Sequence, residues 1–425
     1  MNRNDALALD AADPLAPLRQ QFMLPAGLIY LDGNSLGVLP RATAARVAQV
    51  VQQEWGEGLI RSWNSAGWID LPQRIGDKIA RLVGAGAGEL VVADSTSVNL
   101  FKVLAAALHI VRSDSPARTR VVSERSNFPT DLYIAEALCK ERGFELVLVD
   151  APEQIPAALD AQTALLMLTH VNYRTGRLHD MAVLSKVAHE AGALAVWDLA
   201  HSAGAVPVSL NEHGADFAVG CGYKYLNGGP GAPAFVWAHP RHAGRFWQPL
   251  AGWMGHAAPF EFTADYRPAE GIARYLCGTP AVLSMAALEC GVDTVLAAEV
   301  HGGMAALRAK SLALTRLFAE RAMATCPGLS LVSPADDALR GSQVCFANAE
   351  WAYPVVQALI ARGVIGDFRA GEPSHPAGAV DVLRFGFTPL YLRFVDAWDA
   401  AEHLRQVLES GEWQRPEFNR RNAVT

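Results

Sequence analysis

The chain has 425 residues, enough for two or three domains, and 51% of them are hydrophobic, enough for a large buried core. Its net charge of -7 gives no long-range attraction to nucleic acid or to an anionic membrane, and no basic run suggests a nucleic-acid partner. The amino terminus lacks a signal segment, no apolar stretch is long enough to span a bilayer, and the six cysteines have no paired spacing. The composition therefore predicts a soluble, cytoplasmic protein with reduced thiols.

From residue 90 onward, short apolar runs alternate with helical patterns, which is typical of a mainly parallel sheet covered on both faces. The predicted strands of this part are residues 90–93, 120–123, 145–149, 164–169, 194–198, 217–221 and 234–237. Helical patterns fall between the strands, at residues 96–111, 131–142 and 182–191 among others. The order predicts a doubly wound α/β domain.

The character of the chain changes at residue 280, where a helical pattern runs to residue 326 with a break near Gly302 and Gly303. A smaller α+β region follows, with predicted strands at 342–348 and 380–387 and predicted helices at 352–362 and 395–408. We expect an N-terminal segment, residues 1–60, that packs on the small domain. Residues 61–300 would form the large domain and residues 301–425 the small C-terminal domain.

Asp198 and Lys224 are the most informative pair of residues, because each follows an apolar strand-like run. Open α/β sheets bind their ligands at the carboxyl ends of the strands. A lysine can form a Schiff base with the aldehyde of pyridoxal phosphate, and an aspartate can keep the pyridine nitrogen of that cofactor protonated. Alone, such a lysine is usually a solvated surface residue and such an aspartate is often a helix cap. Together they predict a pyridoxal phosphate site in the large domain.

The cofactor phosphate requires an anion site, and the start of the helix after strand 90–93 offers one. Free backbone N–H groups and the helix dipole favour an anion there, and the hydroxyls of Thr96 and Ser97 could complete the site. Taken alone, these residues are more often simple helix caps. The glycine-rich residues 84–88 precede the strand instead of following it, so we interpret them as a loop and not as a dinucleotide-binding motif.

Two further groups fit a planar cofactor. Phe128 could stack on the pyridine face, with Thr130 or Asp131 at its polar edge, although a helix staple and cap would have the same sequence. His201 lies three residues after Asp198 and could contact the ring or the phosphate, although a lone histidine there is more often structural. The 12 histidines show no compact metal-ligand pattern, so we predict no metal.

Taken together, these motifs resemble the kynureninase family, a group of fold-type-I pyridoxal phosphate enzymes in the aspartate aminotransferase superfamily. The matching segments cover nearly the whole chain in family order: 31–37, 96–100, 128–131, 197–201, 223–227, 252–256 and 384–390. Thr279 stands where human-type members have asparagine, which indicates the bacterial type. The resemblance implies PLP fold type I, with a mainly parallel doubly wound sheet in a large domain and a smaller α+β C-terminal domain.

The resemblance also implies an activity. Members of the family hydrolyse L-kynurenine to anthranilate and L-alanine in tryptophan catabolism, the kynurenine pathway and NAD biosynthesis. The 3-hydroxy form of the substrate would give 3-hydroxyanthranilate. The resemblance further implies a cytoplasmic homodimer with shared active sites, small-molecule substrates, and neither nucleic-acid nor membrane partners.

Three residues resemble the catalytic residues of the family. Lys224 would carry the cofactor and then move protons at the substrate Cα and at cofactor C4′. Asp198 would keep the pyridine nitrogen protonated. Tyr223 would contact the cofactor phosphate and protonate the departing Cβ, although packing is its alternative role.

The resemblance implies a larger binding set around these three. The expected cofactor contacts are Thr96, Ser97, Phe128, Pro129, Thr130, Asp131, Thr169, Asp198, His201, Tyr223, Lys224, Trp253 and Thr279. Trp253 and Thr279 would reach across a dimer interface. Arg384 would hold the substrate α-carboxylate with its planar fork, and Arg369 is the alternative. Trp63 and Trp68 either shape an aromatic pocket or fill the core.

Two other functions remain open from the sequence. A cysteine desulfurase or another β-lyase would share Asp198 and Lys224 but needs a reactive cysteine in a mobile loop, whereas these cysteines lie mainly in apolar runs. A noncatalytic cofactor-binding regulator would carry a fused basic DNA-binding domain, and we see no room for one before Leu31.

Overall fold

The computed structural model describes residues 1–348, 350–371 and 380–421. Its strands are β1 Ile29–Tyr30, β2 Leu90–Val92, β3 Arg120–Glu124, β4 Glu145–Val149, β5 Thr163–Thr169, β6 Leu194–Asp198, β7 Phe217–Gly220, β8 Phe235–Ala238, β9 Ser330–Leu331, β10 Gln343–Ala347, β11 Val364–Ile365, β12 Asp367–Arg369 and β13 Val382–Gly386. Its α-helices are α1 Arg3–Ala11, α2 Thr43–Gln49, α3 Ser62–Ser65, α4 Leu71–Val83, α5 Thr96–Asp114, α6 Pro129–Arg142, α7 Ile155–Ala158, α8 Met181–Glu190, α9 Val282–Leu296, α10 Gly303–Thr325, α11 Ala352–Ala361 and α12 Phe394–Ser410. A π-helix, Val50–Gly58, continues directly from α2.

The large sheet has seven strands in the order β2-β8-β7-β6-β5-β3-β4. The five central and outer strands from β7 to β4 are parallel, and β8 is antiparallel to both of its neighbours. Neighbouring residues of β6 face opposite cores: Val196 packs on the side of α5 and α6, and Trp197 packs on the side of α4, α8 and α9. Because both faces are buried, the strands read as continuous apolar runs. The predicted doubly wound α/β class is confirmed.

Each predicted strand of the large domain is present, with ends that differ from the prediction by at most about one residue, within the usual scatter of such boundaries. The helical pattern of residues 280–326 forms α9 and α10, and Gly302 separates them with a φ of 99° that favours glycine. The sequence did not reveal β1, β9, β11 and β12. These strands have two or three residues each, too few to show a periodic pattern.

The C-terminal region has its own antiparallel sheet in the order β12-β13-β10-β9, with α10 and α11 packed against it and α12 packed on those two helices. Phe318 of α10 packs on Phe346 of β10 and Phe385 of β13, with ring centroids 5.9 and 5.0 Å away. These rings belong to the same continuous cluster of buried residues as Trp197 on one face of the large sheet. The α+β character that the sequence predicts for this region is present.

The first residues of the chain contact this C-terminal region. The backbone N–H groups of Phe394 and Val395 donate to the carboxylate of Asp10 at 2.6 and 3.0 Å, and β1 pairs in parallel with β11. α2 packs instead against α9. The domain boundaries at residues 60 and 300 stay predictions. Within the described ranges, no helix has the length and apolar character needed to cross a membrane.

Candidate active site

The carboxyl edge of the large sheet places Asp198. The parallel register aligns Thr169 of β5 with Asp198 of β6 and Asp198 with Val219 of β7. The chain then turns sharply, and the N–H of Ala200 donates to Asp198 Oδ1 at 2.7 Å. The buried strand β6 therefore delivers a carboxylate, held by its own turn, to the edge where ligands bind in this fold class.

Lys224 lies in a tight loop after β7. The N–H of Gly228 donates to Gly222 O at 2.9 Å and closes the loop, while the N–H of Asn227 donates to Lys224 O at 2.9 Å. Asn227 has a φ of 55°, in the left-handed region where asparagine is tolerated better than most residues. Its amide also donates to Thr294 Oγ1 of α9 at 3.2 Å. The loop is thus fixed against the helix layer beneath it.

The N-terminal motif of residues 31–37 packs on the same loop. The N–H of Gly37 donates to Tyr223 O at 2.7 Å, and a Cβ at Gly37 would lie 2.4 Å from Lys224 O. Only glycine allows this approach of two backbones. At the other end of the motif, Leu31 O accepts from the N–H of Gly386 at 2.6 Å. The motif therefore connects the lysine loop to the small-domain sheet.

A single cavity collects most of the residues that the sequence predicted. Ten of the thirteen expected cofactor contacts line it: Thr96, Ser97, Phe128, Thr130, Asp131, Thr169, Asp198, His201, Tyr223 and Lys224. The cavity wall also includes Tyr173 and Ala200. Residues from five separate loops thus meet at one edge of the sheet, although they span more than a hundred positions of the sequence.

Two carboxylates share the floor of this cavity. Burial, and then the nearby carboxylate of Asp198, raise the pKa of Asp131 well above its ordinary value. Burial raises the pKa of Asp198 as well, while the positive charge of Lys224 acts in the opposite direction. Thr169 Oγ1 lies 3.4 Å from Asp131 Oδ2. The arrangement therefore favours a proton or a cationic group between the two acids.

The amine of Lys224 points toward His201, with Nζ 3.0 Å from Nε2. His201 is buried, and burial followed by the charge of Lys224 lowers its pKa well below the ordinary value. The imidazole is therefore neutral and can accept a hydrogen bond from the lysine. Its Nδ1 is buried and makes no hydrogen bond of normal geometry to the described residues, although the side chain of Gln343 is near enough to raise the pKa of this histidine.

The amino end of α5 forms another wall of the cavity. Ser95 caps this 19-residue helix by accepting from the N–H of Val98 at 3.3 Å, and Thr96 and Ser97 follow in its first turn. The preceding residue, Asp94, has a φ of 47° and forms an ion pair with the fully buried Lys102. The first N–H groups of a helix have no partner within it, and the positive end of the helix dipole points the same way. This wall can bind an anion.

Tyr223 borders the cavity beside the lysine, and the Lys224 Nζ lies 5.7 Å from the centre of its ring. Burial raises the pKa of the Tyr223 phenol, so the hydroxyl stays protonated at neutral pH. Burial also raises the pKa of the neighbouring Cys221 thiol, so this cysteine is not an activated nucleophile. The protonated hydroxyl of Tyr223 can donate a hydrogen bond or a proton.

Three predicted contacts do not line this cavity. Pro129 is the first residue of α6, behind Phe128. Trp253 lines a separate cavity with Phe262 and its neighbours, and Thr279 lines another beside Asp94. Because Trp253 and Thr279 are expected to act across a dimer interface, their positions in a single subunit leave these two contacts as predictions.

The predicted aromatic residues form a cluster of their own. The ring centroid of Trp63 lies 6.3 Å from that of Trp68 and 5.8 Å from that of Trp253. Trp253 continues to Phe260 and Phe262, whose side chains are 59% and 74% exposed. Both readings of Trp63 and Trp68, pocket wall and packing, stay open within a single subunit.

Arg384 is almost completely buried and already has partners. Its Nε donates to Asp367 Oδ1 at 2.7 Å, and its Nη2 donates to Asp367 Oδ2 and to Ser35 Oγ. Its Nη1 donates to the carbonyl of Tyr173 at 2.8 Å. Arg369, the alternative, is more exposed and its Nη2 lies 2.7 Å from Asp367 Oδ2. The structure thus places both arginines around one acid.

Sequence reasoning missed Tyr173 and Asp367. Tyr173 follows the carboxyl end of β5 by four residues, so the rule that located Asp198 would also have found it. Asp367 lies in a three-residue strand that gives no periodic signal, and only the register with β13 reveals its partner.

Comparison with known proteins gives a consistent result. Residues 307–404 match the family model described as the kynureninase C-terminal domain. The chain is 57% identical over 427 aligned positions to a protein named kynureninase from Burkholderia pseudomallei (strain K96243), covering 100% of this chain and 99% of that protein. It is 56% identical, with the same coverage, to a protein of that name from Pseudomonas fluorescens.

The fold is also found among solved structures. A cysteine desulfurase from Thermococcus onnurineus NA1, solved in its apo form, superposes with a TM-score of 0.77 at 18% identity, covering 93% of this chain and 98% of that one. A cysteine desulfurase from Escherichia coli gives the same TM-score and coverage at 20% identity. At these identities the likeness concerns the fold.

Proposed function

The chain belongs to the kynureninase family, and we propose that the cavity at the carboxyl edge of its large sheet binds pyridoxal phosphate and is the place where L-kynurenine is hydrolysed to anthranilate and L-alanine, in tryptophan catabolism. The observation that carries this proposal is that Lys224 and Asp198 line one cavity together. We also propose 3-hydroxy-L-kynurenine as a second substrate.

The residues of the cavity fit the cofactor. The acids Asp131 and Asp198 are buried side by side, and a protonated pyridine nitrogen would supply the cation that they lack. The start of α5, with Thr96 and Ser97, would hold the phosphate. Phe128, which is 41% exposed, would cover one face of the ring. When bound, pyridoxal phosphate supplies an electron-withdrawing ring that stabilises negative charge on the substrate carbons near the amino group.

The protein side chains then divide the proton transfers. Lys224 would remove the proton at the substrate Cα and move it to cofactor C4′, and the neutral His201 at 3.0 Å would orient its amine. Water would add to the γ-carbonyl of the substrate, the Cβ–Cγ bond would break, and Cγ would leave as the carboxylate of anthranilate. Tyr223 would protonate Cβ, because its raised pKa keeps the phenol protonated until that step, and Lys224 would return the proton from C4′ to Cα to complete L-alanine.

Arg384 is the proposed partner of the substrate α-carboxylate. Its Nη1 donates to the carbonyl of Tyr173, a residue of the cavity wall, and this contact supports the assignment, although Arg384 itself is buried and does not line the cavity. A guanidinium donor gives a short, charge-assisted hydrogen bond to a carboxylate. Arg369 carries the second positive charge near the same acid and stays the alternative.

We also propose that the protein acts as a cytoplasmic homodimer with shared active sites. Trp253 and Thr279 lie outside the cavity of their own subunit, as expected for residues that serve the site of a partner. The exposed rings of Phe260 and Phe262 beside Trp253 offer an apolar surface that a second copy would cover.

Purified protein loaded with pyridoxal phosphate and given L-kynurenine tests this function through anthranilate fluorescence. We expect steady turnover, and a loss of at least about a thousandfold in Lys224→Ala, because the cofactor anchor and the proton carrier leave together. Lys224→Ala should keep the circular dichroism of the parent protein. Absence of anthranilate from a yellow, folded holoenzyme would contradict the proposal, and equal kcat/KM for the 3-hydroxy form would extend it.

A further inference from the structure

Asp367 and Arg384 form a pair that is fixed by the backbone of the small-domain sheet. Asp367 of β12 lies directly opposite Arg384 of β13 in the antiparallel register. Both side chains are about 1 to 2% exposed. Residues directly opposite each other have Cβ atoms about 5 Å apart, so the strand pairing itself brings the acid to the guanidinium.

Among the described residues, four of the five N–H donors of Arg384 have hydrogen-bond partners. A guanidinium has five N–H donors. Nε and Nη2 hold Asp367, and Nη2 also donates to Ser35 Oγ at 2.8 Å. Nη1 uses one N–H for the carbonyl of Tyr173. The one N–H without a partner among the described residues is on Nη1, beside Tyr173, which lines the active-site cavity.

Asp367 is itself held by more than one partner. Ser35 Oγ donates to its Oδ2 at 3.1 Å, and Arg369 Nη2 lies 2.7 Å from the same oxygen. Asp367 therefore connects Ser35 of the N-terminal motif with Arg384 and Arg369. Removing one member of a buried ion pair leaves the other charge uncompensated, so the position of Arg384 depends on this carboxylate.

We infer that Asp367 is a positioning residue for substrate recognition: it holds Arg384 by the Nε and Nη2 edge, so that Nη1 faces the α-carboxylate of the amino-acid substrate. This inference rests on the proposed function. Asp367 itself touches neither the cavity nor the reacting atoms. Substitution of Asp367 is therefore expected to weaken binding of the substrate α-carboxylate.

Binding of the two reaction products distinguishes a positioning role of Asp367 from general damage to the fold. L-Alanine retains the α-carboxylate of the substrate, and anthranilate does not. In holoenzyme carrying Asp367→Asn, we expect the Kd for L-alanine and the KM for L-kynurenine to rise by about tenfold or more, since a hydrogen bond to a charged group is lost or misdirected. The Kd for anthranilate should stay within about twofold, and kcat should change less than KM.

Asp216→Asn is the matched control, because Asp216 is an equally buried, arginine-paired acid at the far edge of the large sheet. It should lower stability without changing the Kd for L-alanine. Asp367→Glu keeps the charge and should weaken L-alanine binding by a smaller factor than Asp367→Asn. If Asp367→Asn does not fold, Asp367→Glu decides alone: an unchanged Kd for L-alanine overturns the inference.

Arg384→Lys separates the inference from the function on which it rests. A raised KM in Arg384→Lys with unchanged L-alanine binding in Asp367→Asn overturns the role of Asp367 only. Unchanged KM in Arg384→Lys overturns both the arginine assignment and the inference. Equal weakening of L-alanine and anthranilate in Asp367→Asn would show that the acid only supports the fold, and this too overturns the inference.

Discussion

Buried carboxylates at the two ends of the parallel strands, the amino edge and the carboxyl edge of the seven-stranded sheet, have opposite surroundings. At the amino edge, Asp216 precedes β7 and is 0% exposed. It accepts from the N–H of Ala195 at 2.8 Å, and its oxygens lie 2.8 Å from His189 Nε2 and 2.7 Å from His242 Nε2. Arg241 adds a charged pair. At the carboxyl edge, Asp198 and Asp131 face each other with one lysine nearby.

The difference appears in the direction in which the pKa of each acid is shifted. Hydrogen bonds from His189 and His242 outweigh burial and lower the pKa of Asp216 below its ordinary value. Burial raises the pKa of Asp198 and of Asp131 instead. A fully paired acid stabilises the folded chain, whereas an acid pair without enough cations is ready for a ligand that brings positive charge. The comparison separates the stabilising edge from the functional edge.

The largest effect expected from this comparison is that of Asp198→Asn. The substitution removes the charge that would stabilise the protonated pyridine, so turnover should fall by about a hundredfold or more and cofactor retention should weaken. The apoenzyme should be as stable as the parent or more so, because the acid pair loses its repulsion. Stopped-assay kinetics and urea unfolding of the apoenzyme measure the two parts. Near-normal turnover would reject the assignment of Asp198.

Asp216→Asn should show the reverse pattern. It replaces the carboxylate that accepts from the buried Ala195 N–H and His242 by an amide, and we expect the free energy of unfolding to fall by about 3 kcal/mol because hydrogen bonds to a charged group are weakened. The kcat/KM of the folded fraction should stay within about twofold of the parent, because the residue lies at the far edge of the sheet. Urea unfolding and anthranilate fluorescence on the same preparation measure both. A selective loss of kcat/KM at unchanged stability would contradict the division between the edges.

A smaller effect is expected in the pH dependence of apoenzyme stability. The lowered pKa of Asp216 means that its contribution is present above its ordinary value of 3.8 and is lost as pH falls toward the folded value. The raised pKa values of Asp131 and Asp198 act the other way, so their contribution is lost as pH rises above that value. Asp216→Asn should therefore flatten the loss of stability as pH falls below about 4, whereas Asp198→Asn should flatten the loss as pH rises above about 4. Urea unfolding across a pH series measures both slopes, and identical slopes in the two variants would contradict the account.

The fold and the centre of the site could be predicted from the sequence for physical reasons. Strands buried on both faces leave long apolar runs, and parallel strands bring their carboxyl ends together, so Asp198, Lys224 and the loop at Phe128 could be placed at one edge. The capped start of α5 has a recognisable sequence for similar reasons.

Contacts between distant short elements could not be predicted in the same way. The pairing of Asp367 with Arg384 depends on the register of two short strands, and the pairing of Leu31 with Gly386 depends on how an irregular segment crosses the small domain. The place of Trp253 and Thr279 outside their own cavity agrees with the family resemblance, but no local pattern encodes it. Sequence patterns identify which residue types meet, and the tertiary register decides which donors remain free.

The central claim is that Lys224 carries the cofactor at the carboxyl edge. Borohydride reduction of the holoenzyme, followed by proteolysis and mass spectrometry, locates the lysine that becomes permanently labelled. We expect the label on the peptide that contains Lys224, with Asp198→Asn labelled at the same residue but to a lower extent. A label on another lysine, such as Lys102 beside the start of α5, would contradict the account.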